Sequence, residues 1–168
     1  MKATRRTKRR NNRRNQGRNA LLAECACFDL RKAARAVSRM YDDVLRDTGL
    51  NITQFSLLRL IRAEKEISVS TLGRYTVMDR TTITRALAPL QRDRLVASRP
   101  GADKRIRIVS LTNKGRKLVA DAEPHWRRAQ AALLEVIGED RWSAMRALLR
   151  DTTRMVRHRT LDARVPRG

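Results

Sequence analysis

Cysteine, aromatic residues and long apolar runs are all scarce in this sequence, and each shortage excludes a class of protein. Two cysteines among 168 residues are too few for a disulfide-stabilised scaffold. Aromatic residues make up only 4% of the chain, too few for a platform on which RNA bases stack. No apolar run approaches the ~20 residues of a membrane-spanning helix. We therefore expect a reduced, cytoplasmic protein with an aliphatic core and no membrane partner.

The sequence also lacks the motifs of common enzymes and metal sites. It contains no Gly-Lys-Ser/Thr phosphate loop and no G-x-S-x-G nucleophile motif. The two histidines are His125 and His158, and no Cys/His spacing matches a zinc site. We expect a protein that is not an enzyme and that uses no cofactor or metal.

Acidic residues are outnumbered, since 39 Lys and Arg oppose 17 Asp and Glu and leave a net charge of +22. This excess favours a polyanionic partner, above all nucleic acid. Nine of the basic residues, and no acidic residue, fall within residues 2–18. We interpret residues 1–19 as a disordered Arg-rich arm that lies along phosphates or enters a minor groove. The remaining +13 makes the rest of the chain basic in its own right.

The centre of the chain, residues 51–112, has the pattern of short helices followed by two strands. A short helix, a tight turn and a second short helix are typical of a helix-turn-helix. Two strand-like runs, residues 95–99 and 105–111, flank a turn that begins with Pro100-Gly101. They predict a hairpin with a basic tip, a wing. Candidate caps precede the helices: Asn51 or Thr53, Ser68 or Ser70, and Asp79.

The segment before this centre, residues 20–50, has apolar residues at helical spacing. The stripe runs from Ala26 to Val44 in steps of three and four, and the helix should end at Gly49. A helix this long in a small domain usually has a partner along its length. We interpret the segment as an N-terminal dimerisation helix.

The segment after the centre, residues 113–160, predicts two more helices with apolar stripes. Thr112 should cap the first, Gly138 should end it, and the second begins near Asp140. The stripes are wider than one small domain needs, so we interpret these as C-terminal dimerisation helices and residues 161–168 as a flexible tail. The expected fold is mainly α with a small β-hairpin wing: a winged helix-turn-helix flanked by N- and C-terminal dimerisation helices.

Candidate DNA contacts lie on the second helix of the helix-turn-helix and on the wing. At 100° per residue, Ile83 and Leu87 of that helix face the core, and a face of threonine and arginine points outward, which suits a major groove. Arginine on a two-stranded finger is a good minor-groove probe, and Asp103 can hold Arg105 through a charge-assisted hydrogen bond. The candidate DNA-binding residues are Ser70, Thr71, Arg80, Thr81, Thr82, Thr84, Arg85, Asp103, Lys104, Arg105 and Arg107.

Over roughly residues 21–160 the chain resembles the MarR family of bacterial transcription regulators. The motifs that carry the resemblance are Met78-Asp79-Arg80-Thr81-Thr82-Ile83-Thr84-Arg85, Leu90, Leu95-Val96, the family's D-x-R as Asp103-Lys104-Arg105, Val109-Ser110-Leu111-Thr112, Gly115 and Gln54-Phe55. The resemblance implies a homodimer on a pseudo-palindromic operator of double-stranded DNA, with Arg105 in the flanking minor groove. It also implies a nucleoid-associated repressor of bacterial type, released by a signal.

A small organic effector is the first candidate for that signal. Arg31, Arg35, Tyr41, Phe55 and Trp126 can supply an apolar wall with a cation, beside the cleft between the dimerisation helices and the winged helix. Such a wall suits an aromatic carboxylate or a related acyl thioester.

Oxidation of Cys27 is the alternative signal. The run Cys27-Phe28-Asp29-Leu30 is similar to the Cys-Phe-x-Leu run of the organic-hydroperoxide regulators within the same family, with Tyr41 at one of their tyrosine positions. Arg31 and Ile52 stand at the other tyrosine positions. Cys25 and Cys27 are two residues apart on a predicted helix, which points them about 200° apart and prevents a bridge between them unless the helix unwinds.

An architectural DNA-binding protein without sequence preference is a further alternative. The Arg-rich arm favours it, whereas an ordered helix-turn-helix with a Thr/Arg face favours a sequence-specific regulator. The ratio of specific to non-specific affinity distinguishes the two classes.

Overall fold

The computed structural model describes residues 25–162 and shows a mainly helical chain with one small antiparallel sheet. The predicted arm at residues 1–19 and residues 163–168 of the predicted tail lie outside the described residues. The elements are α1 Ala26–Leu45, a 3₁₀ turn Arg46–Thr48, α2 Ile52–Glu64, β1 Glu66–Ser68, α3 Val69–Thr76, α4 Arg80–Arg92, β2 Val96–Pro100, β3 Arg107–Leu111, α5 Asn113–Ile137 and α6 Glu139–Asp162.

Side-chain caps begin four of these helices, as the sequence predicts. Each cap oxygen accepts a hydrogen bond from the backbone N–H three residues later, and so satisfies one of the donors that a helix start leaves unpaired. Asn51 and Gln54 cap reciprocally, a full capping box. The observed cap distances are 2.9 Å for Asn51, 3.0 Å for Ser68, 2.8 Å for Asp79 and 3.0 Å for Thr112, so Thr53 and Ser70 are not the caps.

The sheet has three strands in the order β1-β3-β2, with Ile67 and Ser98 on either side of Val109. The strand β1 was not expected from the sequence. The predicted strand over residues 105–111 begins only at Arg107. A tight loop precedes it, closed by hydrogen bonds from Gly101 N–H to the Ile106 carbonyl (2.7 Å) and from Ile106 N–H to the Asp103 carbonyl (2.9 Å).

The main core lies inside the winged helix and is aliphatic apart from Phe55. Its members come mainly from α2, α3, α4 and the sheet, and Leu45 of α1 and two residues of α5, Val119 and Ala122, complete it. Several members are fully buried: Phe55, Leu58, Ile61, Leu72 and Val109 are all 0% exposed. The start of α5 docks closely on this core. A Cβ on Gly115 would lie 2.1 Å from the Leu95 carbonyl oxygen, so only glycine fits there.

A second, smaller cluster joins α1 to α5 beyond the winged helix. Its buried members are Tyr41, Ala129 and Leu133. The Tyr41 hydroxyl donates a 2.7 Å hydrogen bond to the side-chain oxygen of Gln130, and burial raises the pKa of Tyr41. This cluster fixes the C-terminal half of α1 against α5.

Candidate nucleic-acid interface

A glycine allows the two helices of the helix-turn-helix to approach closely. A Cβ on Gly73 of α3 would lie 2.9 Å from the Met78 carbonyl oxygen and 3.6 Å from the Ile83 side chain at the start of α4. The turn is sharp because Val77 adopts a left-handed conformation with φ 55°, and its N–H donates to the Gly73 carbonyl. The local geometry therefore sets α4 across α3, as the sequence predicts for a helix-turn-helix.

Helix α4 buries one face and exposes the other. Ile83 and Leu87 are 1% and 2% exposed, and Leu90 is buried with them. On the opposite face Thr81, Thr84, Arg85, Ala88 and Arg92 are exposed. This is the division expected from 100° per residue, and it leaves a face of small, polar and cationic side chains free to meet a DNA groove.

Two threonines on α4 already use their hydroxyl protons. The Thr82 hydroxyl donates to the Asp79 carboxylate at 2.8 Å, so Thr82 completes the cap of the helix. The Thr84 hydroxyl donates to the Arg80 carbonyl one turn earlier at 2.7 Å, which leaves its methyl group and an acceptor lone pair available. Hydrogen bonds from the backbone N–H and then the hydroxyl of Thr82 lower the pKa of Asp79.

The exposed start of α3 holds a small hydrogen-bonded cluster. The Ser68 hydroxyl lies 2.9 Å from that of Ser70 and donates to that of Thr71 at 2.8 Å. Arg74, one turn on, donates to Thr71 at 3.3 Å. Ser70 is exposed and Thr71 half-buried, so Ser70 is the more accessible of the two predicted contacts. The sequence analysis missed Arg74, although its spacing from Ser70 is that of neighbours on one helix face.

Arg105 lies on a loop of the wing in which Asp103 holds it through hydrogen bonds. The Asp103 carboxylate accepts hydrogen bonds from the Arg105 backbone N–H at 2.9 Å and from its Nε at 3.2 Å. These bonds, the backbone one first, lower the pKa of Asp103. The Arg105 side chain remains 90% exposed. The expected pairing of Asp103 with Arg105 is therefore present, and Lys104 beside it is exposed.

Two other arginines stiffen the hairpin that carries this loop. Arg107 of β3 donates to the Ser98 hydroxyl of β2 at 3.1 Å. Arg99 of β2 reaches over the central strand to Glu66 of β1, with 2.7 Å between its terminal nitrogen and a carboxylate oxygen. Arg107 was predicted as a DNA contact; part of its side chain also braces the wing.

Helix α4 and the wing border one concave surface. Arg80 and Thr84 of the helix line the same cavity as Ser98 and Arg107 of the wing strands. Of the predicted DNA-binding residues, this surface therefore brings together Ser70, Arg80, Thr84 and Arg107.

Some of the predicted effector residues are buried in the core, and others are exposed on α1. Phe55 is 0% exposed and belongs to the core, so its side chain does not reach the surface of the single chain. Its ring stacks on Trp126 at 6.3 Å between centroids. The cation over the indole is Arg59 of α2, 4.0 Å from the ring centroid, a residue that sequence analysis missed. Arg31 and Arg35 are exposed on α1.

An ion-pair cluster adjoins this aromatic pair. The Glu123 carboxylate of α5, only 12% exposed, lies 3.5 Å from Arg59, 3.3 Å from Arg62 and 3.8 Å from Arg127. Phe55, Trp126, Arg59 and Glu123 together form a junction between α2 and α5, which we call the body–helix junction. It joins the winged helix to the long helix that leads away from it.

The two cysteines do not lie on one helix as expected. Cys25 has extended backbone angles (φ −90°, ψ 98°) and precedes α1, whereas Cys27 is the second residue of α1. The helical separation of about 200° therefore does not describe this pair. Both cysteines are exposed in the single chain.

Between residues 25 and 162 no helix is long and apolar enough to cross a membrane. The same residues contain no group of three or more side chains that could hold a metal ion.

A helix-turn-helix followed by a basic hairpin defines a winged-helix DNA-binding protein, and comparison with known proteins gives its family. A model described as MarR family matches residues 48–106. The crystal structure of the M. tuberculosis transcriptional regulator MosR in complex with DNA is 37% identical, with 80% of this chain and 98% of that chain covered and a TM-score of 0.73. The chain belongs to the MarR family of transcriptional regulators.

Two further relatives are consistent with this assignment. The HTH-type transcriptional regulator SarZ of Staphylococcus epidermidis is 26% identical over 101 residues, 60% of this chain and 68% of SarZ. A mutant of E. coli MarR, solved with operator DNA, shares the fold at 21% identity and a TM-score of 0.71, over 79% of this chain and 97% of that chain. The protein is a DNA-binding transcriptional regulator and not an enzyme.

Proposed function

We propose that this regulator is a repressor that binds a pseudo-palindromic operator as a homodimer and is released by a small organic ligand. One observation supports the proposal of a dimer. Of the described residues, none in α6 is buried, although Leu148 and Met155 there are large and apolar and are 68% and 60% exposed. Large apolar side chains exposed along one helix mark an interaction surface. A second copy of the chain is the simplest cover, because the same helix then meets its own equivalent.

The proposed domains separate the helices that form the dimer from the part that binds DNA. Residues 20–50 and 113–160 form the dimerisation helices, and residues 51–112 form the DNA-binding winged helix. In each protomer the exposed face of α4, with Thr81 and Arg85, enters a major groove. Arg105 enters the adjacent minor groove, where its side chain meets concentrated negative potential. The exposure of these side chains supports the assignment.

An aromatic carboxylate or a related acyl thioester is the proposed ligand. It would lie beside the body–helix junction, where Trp126 and Arg59 offer an aromatic face and a cation between the winged helix and the dimerisation helices. Arg31, Arg35 and Tyr41 lie on α1 and take part if the ligand extends to that helix. A ligand here acts by favouring one spacing of the two α4 helices over another.

The test is a binding experiment on DNA from the protein's own upstream region. At physiological salt, with excess random competitor, a regulator should bind its site at least ~10³-fold better than random DNA. Aromatic acids and their thioesters are then added to the surviving complex. Loss of every complex in competitor, on this fragment and on sites selected from random sequence, would instead favour a non-specific architectural protein.

A thiol-based oxidative-stress sensor is the second candidate, favoured by the exposure of both thiols. An organic hydroperoxide should then release the wild-type protein from DNA. Cys27→Ser should stay bound, whereas the matched control Cys25→Ser should respond like wild type if Cys27 acts alone. Equal release of wild type and Cys27→Ser would exclude Cys27 as the switch.

A further inference from the structure

The tip of the wing carries an exposed apolar side chain. Ile106 is 41% exposed, whereas Val96, Val109 and Leu111 of the strands are buried. Among residues 25–162, Ile106 is the one large apolar side chain of the wing that is exposed, and it belongs to neither apolar cluster. Its side chain is therefore available to whatever the wing binds.

The backbone of Ile106 is fixed by hydrogen bonds on both sides of the residue. Its N–H donates to the Asp103 carbonyl at 2.9 Å, and its carbonyl accepts from the Gly101 N–H at 2.7 Å. A Cβ on Gly101 would lie 3.5 Å from the Ile106 Cβ, so the two sides of the loop are in close contact. A β-branched side chain on a fixed backbone has few rotamers. Ile106 therefore loses little conformational entropy when a partner covers it.

Ile106 directly follows Arg105, and the Cα atoms of neighbouring residues lie about 3.8 Å apart. Asp103 holds Arg105 through two hydrogen bonds on the same loop, and the Arg105 side chain is 90% exposed. The minor groove that Arg105 is proposed to enter is only about 6 Å wide. With Arg105 inside it, Ile106 lies at the edge of the groove, where the walls are deoxyribose rings with apolar C–H faces.

We propose that Ile106 is a DNA-contacting residue whose side chain packs against the deoxyribose wall of the minor groove that Arg105 enters. The inference rests on the proposed function, since it adds an apolar contact to the proposed placement of the wing. Every base pair presents the same sugar wall, so this contact strengthens binding and positions the wing without reading sequence. Arg105 supplies the charged part of the contact and Ile106 the apolar part.

An apolar contact differs from a charged one in its response to salt. A cation that neutralises phosphate releases counterions, so its removal makes the plot of log K against log salt concentration less steep. An apolar side chain releases no counterions, and its burial makes the heat-capacity change of binding more negative. Removal of Ile106 should therefore lower the affinity by the same factor at every salt concentration and leave the slope unchanged.

The experiment uses the full chain and an operator duplex, taken from the protein's own upstream region or selected from random sequence. Fluorescence anisotropy measures binding between about 50 and 200 mM salt. Ile106→Ala should weaken binding about 10-fold with the wild-type slope, because it removes three carbons from the contact. Calorimetry should give it a less negative heat-capacity change than wild type. Arg105→Ala is the matched control on the neighbouring residue and should reduce the slope by about 1.

A second pair of variants separates apolarity from shape. Valine and threonine have nearly the same shape, but threonine carries a hydroxyl in place of a methyl group. Ile106→Val should therefore bind the operator more tightly than Ile106→Thr. Melting curves establish that each variant is folded.

Three results would overturn the proposal: wild-type affinity in Ile106→Ala, equal affinities of Ile106→Val and Ile106→Thr, or a slope that falls in Ile106→Ala as it does in Arg105→Ala. In the last case Ile106 only holds the loop that positions Arg105. Failure of the wild-type protein to bind any duplex specifically would count against the proposed function itself. Specific wild-type binding with an unaffected Ile106→Ala would remove the inference and leave the proposed function standing.

Discussion

The winged helix and the C-terminal helix differ in how much of their apolar surface one chain buries. In the winged helix, Phe55, Leu58 and Val109 are 0% exposed. In α6, Leu148 and Met155 are 68% and 60% exposed, and no described residue of the helix is buried. The core of the winged helix is thus fully buried within one chain, with Leu45 of α1 and with Val119 and Ala122 of α5 among its members. The apolar face of α6 is exposed in a single chain, so the stability of this helix depends on the surface that it contacts.

Helix α1 lies between these extremes and shows where the boundary falls. Of its 20 residues only Tyr41 and Leu45, at its C-terminal end, are buried. Leu30, near its start, is 48% exposed. The end of α1 therefore belongs with the winged helix and α5, whereas its beginning resembles α6. This gradient supports the proposed interface between protomers, made from the start of α1 and from α6.

The largest expected effect is on the stability of the winged helix, which has its core buried within one chain. Gly115→Ala places a Cβ 2.1 Å from the Leu95 carbonyl oxygen, and backbone cannot swing aside as a side chain can. We expect a loss of about 3 kcal/mol or more in the free energy of unfolding, measured by urea denaturation. Gly101→Ala is the matched control, because its nearest contacts are 3.4–3.5 Å. Equal losses for the two variants would show that α5 does not dock as described.

The next largest effect is expected on the oligomeric state, through the exposed apolar face of α6. Leu148→Glu puts a charge on the exposed apolar face of α6 and should convert a dimer to monomers while the winged helix stays folded. Affinity for a two-half-site operator should fall by about 10²-fold or more, because the second half-site is no longer tethered. Ala147→Glu adds the same charge at an exposed neighbour. Light scattering with both variants measures the mass; a Leu148→Glu protein that stays dimeric would place the interface elsewhere.

A third substitution sharpens the comparison by separating DNA recognition from assembly. Arg85→Ala should cost about 1–3 kcal/mol on the operator and much less on random DNA, with the oligomeric state unchanged. Arg92→Ala, at the far end of the same helix and paired with Asp93, should affect both DNAs alike. Fluorescence anisotropy on the two duplexes gives the values. Equal losses for Arg85→Ala on both would mean that Arg85 contacts only phosphate.

The smallest effect is confined to the winged helix and depends on pH. Asp79→Ala removes the cap of α4 and should lower the Tm by a few degrees at pH 7. Because folding lowers the pKa of Asp79 below its ordinary value of 3.8, the folded state binds fewer protons there than the unfolded state. The stabilisation is fully present above pH 3.8 and is lost as pH falls through the lowered pKa. The difference between variant and wild type should vanish at that acidity.

Local signals predicted most of the fold. Asn51, Asp79 and Thr112 cap helices as their spacing indicates, and Gly49 and Gly138 both end helices with positive φ. The strand Glu66–Ser68 was not predicted, because three residues are too few to show an alternating pattern. It forms only through pairing with β3, which is distant in sequence. Tertiary pairing of this kind leaves no mark on the local pattern.

The candidate site was predictable where it depends on one element. The outward face of α4 and the pairing of Asp103 with Arg105 follow from helical geometry and from short spacing. The sequence did not show that Phe55 is enclosed, that Arg59 covers Trp126, or that Arg157 reaches the cavity beside α4. Each of these depends on how helices distant in sequence are packed.

The body–helix junction makes a lever of α5. Its 25 residues span about 37 Å, and Glu123, Trp126 and the close contact at Gly115 fix the winged helix to one part of it. A turn of about 5° at the far end of a rigid arm of this length displaces the attached body by about 3 Å. Successive major grooves on one side of DNA are spaced about 34 Å apart, so in the proposed homodimer a small rotation at the pivot takes the two winged helices out of register with the grooves. In the proposed homodimer, release of the operator therefore needs no bending within a protomer.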